Sequence, residues 1–171
     1  MLALQAGDRG AFETLFDRYR GPIWTFFRRR TWQPGEADEL TQETFLAVLQ
    51  GAARYEPRAA FRSYLFAVAF NHLLAWRRRV RRDSPRVPDG HDVPGVAADP
   101  ADVLWVRDAL AALEPDDREI VMLREYDAFS YAEIAALLGL PATTVRSRLF
   151  RARVSLRARL VGEPAAEGQR P

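Results

Sequence analysis

The chain is predicted to be all-α, with two small helical domains joined by a flexible linker and a helix-turn-helix in the C-terminal one. Three observations lead there. Apolar residues recur at helical spacing, and no stretch sustains the alternation of a strand. "RDSPRVPDGHDVPGVAADPA" (82–101) breaks the helical pattern with four prolines, two glycines and no aromatic residue. "SYAEIAALLGLPATTVRSRLFRAR" (130–153) reads as two short helices with a glycine between them. The expected division is a first domain over 1–82, a linker over 83–101, a second domain over 102–161 and a disordered tail over 162–171.

Taken in order, Phe12, Leu15, Phe16 and Tyr19 give the buried face of a first helix, with Asp8 as its N-cap. "GP" at 21–22 is expected to interrupt it, and a second helix carries Ile23, Trp24, Phe26 and Phe27. "QPGE" (33–36) reads as a loop, and the surrounding 28–36 segment looks long. A third helix is expected from about Glu36 to Gln50, burying Leu40, Phe45, Val48 and Leu49. A fourth runs from about Ala59 to Arg82, with Phe61, Leu65, Val68, Ala69, Leu73 and Trp76 inward. After the linker, "DVLWVRDALAAL" is helical, and "EPDDREIVMLREY" starts another helix. Its Pro115 lacks only a donor that the first turn leaves unpaired, and Asp116 and Asp117 suit the positive helix end.

Charge is unevenly spread although the net value is only +2. All 25 basic residues are arginine. Residues 62–86 hold seven arginines and one acid, 141–171 seven and two, and 87–127 three arginines and eleven acids. Such segregation gives two basic surfaces with an acidic stretch between them. The absence of cysteine excludes disulfides, thiolate zinc sites and thiol nucleophiles. No apolar run spans a membrane and the N-terminus is not a secretory signal, so a cytoplasmic protein without direct membrane insertion is expected. No phosphate-binding glycine loop, acidic catalytic pair or Ser/His/Asp pattern is present, so no catalytic residue, metal or cofactor is assigned and the chain is read as no enzyme. "DGHD" in the linker matches no ligand spacing, and His91 receives no role.

Ser130 followed by Glu133 is a capping box, and Gly139 allows a tight turn. Ile134 and Leu138 face inward, and Pro141 starts the next helix. There Val145, Leu149, Ala152 and Leu156 form one apolar stripe. Thr143, Ser147, Phe150 and Arg151 lie roughly opposite, flanked by Arg146 and Arg148. One face packs on its own domain while the other can enter the major groove of duplex DNA. Arginine pairs with guanine, hydroxyls serve bases or phosphates, and phenylalanine presses on a thymine methyl. The 61–82 helix mixes aromatic and basic residues, which suits single-stranded DNA: rings stack on bases and arginines track phosphates. Asp38, Glu39, Gln42 and Glu43 share one helix face.

Three blocks, "ADELTQETFLAVL" (37–49), "FRSYLFAVAFNHLLAWRRRVRR" (61–82) and the 130–153 segment, together resemble a bacterial extracytoplasmic-function sigma factor of the sigma-70 family. The resemblance covers about positions 5 to 160. It implies an initiation factor whose first domain binds core RNA polymerase and reads and melts the −10 element, and whose second reads the −35 element. It places core polymerase on Asp38, Glu39, Gln42 and Glu43. It places the −10 strand on Arg54, Tyr55, Phe61, Arg62, Tyr64, Asn71, Arg77 and Arg78. It places the −35 duplex on Thr143, Thr144, Arg146, Ser147, Arg148, Phe150 and Arg151, with a GGAAC-like or AAC-containing box. Promoter DNA, core polymerase and an anti-sigma factor are the implied partners. Phe70, Ala75 and Thr143 depart from the family's usual arginine, aspartate and glycine. The alternative is a helix-turn-helix regulator that binds an operator without core polymerase.

Overall fold

The computed structural model describes residues 1–31, 33–83 and 100–161. Among them every regular element is helical and none is a strand. The chain divides into two compact units, Met1–Asp92 and Val93–Pro171. Of the linker expected over 83–101, residue 83 falls in one helix and residues 100–101 in the next, while 84–99, the tail expected over 162–171, His91 and Trp32 lie outside the described residues.

The first unit contains α1 (Leu2–Gln5), α2 (Arg9–Arg28), α3 (Pro34–Gly51), a 3-10 turn (Ala52–Arg54) and α4 (Phe61–Asp83). Asp8 caps α2 by accepting the Ala11 N–H at 3.2 Å. The expected break at Gly21-Pro22 does not occur, and α2 runs through Pro22. A proline inside a helix costs about 3 kcal/mol through its missing N–H and its ring. Ile23, Phe26 and Phe27, just beyond it, are fully buried. Each such burial is worth about 1.5–3 kcal/mol, so packing offsets the proline. Upstream, Phe12 and Phe16 are half-buried, and Phe16 meets Phe45 of α3 edge-on at 4.9 Å.

The connection expected to be long covers only residues 29–33, and the predicted QPGE loop is mostly helix. Pro34 occupies the first turn, and the Gln33 N–H donates to the Glu36 carboxylate at 3.2 Å. The polar start is therefore a capped helix end rather than a loop. Leu40, Phe45 and Val48 of α3 are buried as expected, but Leu49 is 43% exposed. From α4, Leu65, Phe66, Ala69, Phe70, Leu73 and Trp76 join this core, while Phe61 and Val68 are half-buried. Phe70 is thus a packing residue.

The second unit holds α5 (Pro100–Ala111), α6 (Pro115–Val121), a π-turn (Met122–Tyr126), α7 (Tyr131–Leu138) and α8 (Ala142–Val161). Arg118 is buried because it caps α5: its guanidinium donates to the carbonyls of Leu110, Ala111 and Leu113 at 2.9, 2.6 and 3.1 Å. The π-turn ends with the Asp127 N–H on the Met122 carbonyl, followed by Ala128 at φ 55°. A non-glycine residue there costs about 1–3 kcal/mol. The bend it makes seats Phe129 in the core and leads directly to Ser130. Ile120, Met122, Leu123, Ile134, Val145 and Leu149 form the core beneath α8.

Candidate nucleic-acid interface

Ser130 begins α7 with a reciprocal cap. Its hydroxyl accepts the Glu133 N–H at 3.2 Å, and the Glu133 carboxylate accepts the Ser130 N–H at 2.9 Å. Gly139 ends α7 in the left-handed region at φ 65°, where other residues are strained. The Pro141 carbonyl accepts the Val145 N–H, and α8 begins one residue later than expected, at Ala142. Val145, Leu149 and Ala152 are buried, Leu156 is half-buried, and Leu138 is half-buried rather than fully inward.

The opposite side of α8 presents Thr143, Arg146, Ser147, Phe150 and Arg151 to solvent. Phe150 is 68% exposed. A phenylalanine this open leaves most of its apolar area outside the chain's own core. Thr144 is half-buried, and its carbonyl accepts the Ser147 hydroxyl at 3.0 Å.

Arg148 stands apart from the rest of its predicted set. Its guanidinium donates to Asp116 at 2.9 Å and lies 3.6 Å from Asp117, both on α6. The Asp116 hydrogen bond is the main cause that raises its pKa above the ordinary guanidinium value, partly opposed by desolvation. Arg153 is tied in the same way to Glu125 of the π-turn, at 3.0 Å through Nε, and its pKa is likewise raised first by that hydrogen bond. The acidic stretch seen in the sequence therefore reaches the basic helix as ion pairs. They pull on the flank of α8 and leave the outer face to its own chemistry. Being near the surface, each is worth only about 0–1 kcal/mol and weakens with salt.

In the first unit the aromatic residues assigned to the −10 strand gather at the start of α4. Tyr55 meets Tyr64 edge-on at 4.9 Å, and Phe61 meets Tyr19 at 5.5 Å. A Cβ on Gly51 would come within 3.3 Å of the Tyr64 hydroxyl, so the glycine admits that ring. Tyr55 is only 8% exposed and its carbonyl accepts from the Gln5 side chain at 2.8 Å. It is part of the cluster's floor, whereas Phe61 and Tyr64 are half-buried. Arg54 is exposed, and the Arg62 guanidinium lies 4.8 Å from the Phe66 ring centre. Tyr64, Asn71 and Arg78, spaced by seven, follow one face of α4. Asn71 and Arg78 are exposed, and Arg77 is half-buried to one side.

On α3, Asp38, Glu39, Gln42 and Glu43 are all exposed. Two are held: Asp38 accepts the Trp24 indole N–H at 2.8 Å, and Glu43 lies 3.3 Å from His72 Nδ1. The same face adds an apolar part that the sequence reading missed. Leu46, four residues after Gln42, is 54% exposed, and Leu49 lies beside it. The signal was there in the spacing, but both leucines also fit an amphipathic core pattern.

The sigma-70 region 2 family model matches residues 15–83, and the sigma-70 region 4 model matches 104–156. The chain is 36% identical to the ECF RNA polymerase sigma factor SigC of Mycobacterium tuberculosis over 165 residues, covering 92% of this chain and 88% of that one. It is 35% identical to the RNA polymerase sigma factor CarQ of Myxococcus xanthus over 162 residues, covering 92% of each. Among solved structures, CnrH in complex with the cytosolic domain of CnrY aligns with a TM-score of 0.70 at 26% identity, over 93% of both chains. RpoE of Bartonella quintana, bound to the anti-sigma factor NepR, also gives 0.70, at 25% identity over 90% of this chain and 98% of that one.

Proposed function

The chain belongs to the extracytoplasmic-function group of the sigma-70 family and is an alternative sigma initiation factor, and we propose that it works through three separate surfaces. The α3 face of Asp38, Glu39, Gln42 and Glu43, with Leu46 and Leu49, docks on core RNA polymerase. An apolar centre bordered by acids fits a stable protein interface: leucines supply burial and the carboxylates supply register. The start of α4 and the turn before it receive the −10 strand. Arg54, Arg62, Arg77 and Arg78 run with phosphates, Phe61 and Tyr64 stack on bases, Asn71 makes a polar contact, and Tyr55 holds the rings from below. The outer face of α8 reads the −35 duplex with Arg146, Ser147, Phe150 and Arg151, while Thr143 and Thr144 meet the backbone. Arg148 belongs to the scaffold.

The domain limits of 1–82 and 102–161, with a linker over 83–101, follow from the same reading. No chemistry is assigned to the protein, since the polymerase performs it, and no cofactor is needed. No described helix is long and apolar enough to cross a membrane. The work is placed in the cytoplasm, where the polymerase is. RpoE of Bartonella quintana is seen with an anti-sigma factor, and a partner of that kind is proposed here too.

The observation that carries the reading is the open Phe150 between Arg146 and Arg151 on a helix whose other side is buried. The test is run-off transcription with purified core polymerase and a promoter library. Transcripts should start from a shared −10/−35 pair only when this protein is added. Tight binding of the protein alone to a palindrome, with no new transcripts, would move the assignment to an operator-binding regulator.

A further inference from the structure

Three elements of the second unit converge on Tyr131, the first residue of α7. The Arg124 guanidinium, from the π-turn, lies 5.1 Å from the centre of its ring. The Arg146 guanidinium, from α8, lies 5.8 Å from it. Arg124 is fixed in turn, because it donates to the Phe129 carbonyl at 2.7 Å. Tyr131 itself is half-buried and follows the capped Ser130, so its position is set by the best-defined corner of the motif. The ring is thus an anchored surface with one arginine already settled on it and a second within reach.

An exposed arginine on a helix explores many rotamers, and base pairing through its fork requires one of them. An aromatic face within about 6 Å draws a guanidinium and restricts it. We propose that Tyr131 is a specificity-determining positioning residue: its ring holds Arg146 in the orientation from which that arginine reads one base pair of the −35 element. The inference rests on the −35 reading above. It gives a residue on the first helix of the motif control over what the second helix discriminates.

The test compares holoenzyme binding to single-base variants of the −35 box for Tyr131→Phe, Tyr131→Leu, Arg146→Ala and the Tyr131→Leu/Arg146→Ala pair. Leucine keeps an apolar side chain without a π face, and phenylalanine keeps the ring. Thermal melts check that each variant folds. Arg146→Ala should flatten discrimination at one base position by about 10–100-fold. Tyr131→Leu should weaken it at that same position by roughly 2–5-fold. Tyr131→Phe loses only the hydroxyl that also meets Arg153, so it should keep the parent's discrimination at that position, and the double variant should be no worse than Arg146→Ala. Equal behaviour of Leu, Phe and Tyr, an even loss across all positions, or additivity in the double variant would overturn the inference while leaving the −35 reading in place. Unaltered base preference in Arg146→Ala would overturn Arg146 as a base reader, and the inference with it.

Discussion

Along α8 the one aromatic residue, Phe150, stands 68% exposed, while Arg148 and Arg153 are tied back to Asp116 and Glu125. Along α4 the rings of Phe61 and Tyr64 lean on Tyr19 and Tyr55, Arg62 sits among them, and the other arginines follow from Arg77 onward. Both helices are rich in arginine, yet they distribute rings and charges differently. A duplex offers a groove of fixed shape, so its reader gains from a rigid helix with projecting side chains. A melted strand has no fixed shape. Its binding surface gains from a packed group of rings that a base can join, with cations further along for the backbone. The difference lies in which residues the rest of each unit immobilises, and composition alone does not reveal it.

The contrast can be broken most strongly from beneath α8. Leu149 is 1% exposed, and Leu149→Ala should cost about 2–5 kcal/mol of stability, seen as a lowered thermal transition. Binding to −35 duplexes should then fall for every sequence alike. A smaller effect is expected at the ring cluster. Tyr64→Ala should weaken −10 strand capture by about 1–3 kcal/mol, read by fluorescence of 2-aminopurine placed in the melted region. Tyr64→Phe should keep most of it, since stacking needs the ring rather than the hydroxyl. Equal loss in both would point to the hydroxyl beside Gly51 instead. The smallest effect belongs to the scaffold pairs. Asp116→Asn should cost less than about 1 kcal/mol, and the loss should shrink as salt rises, with no change in base preference.

Helical class, the capping box at Ser130, the glycine turn and the α8 stripe were legible because each depends on neighbours within a few residues. The misreadings came where distant packing decides. Pro22 is a local helix breaker, but the burial of Ile23, Phe26 and Phe27 carries α2 through it. Pro34 and Gly35 looked like a loop because the cap at Gln33 involves a glutamate side chain folding back. Leu49 read as core, yet it is 43% exposed, and Leu46 beside it is 54% exposed. Arg148 looked like Arg151, since nothing near it in sequence shows that Asp116 and Asp117, some thirty residues earlier, hold its guanidinium. The candidate site was therefore visible as a set of residue types. The outward face of Thr143, Ser147, Phe150 and Arg151 was visible too, but the ties that hold Arg148 back were not.

The most direct test of this account sets Arg148→Ala against Arg151→Ala in holoenzyme, each measured on every single-base variant of the −35 box. Arg151→Ala should lose about 1–3 kcal/mol of discrimination at one position and little elsewhere. Arg148→Ala should lower affinity slightly and evenly, leaving base preference unchanged. A position-specific loss in Arg148→Ala, with an even loss in Arg151→Ala, would contradict the division of α8 into a scaffold flank and a reading face.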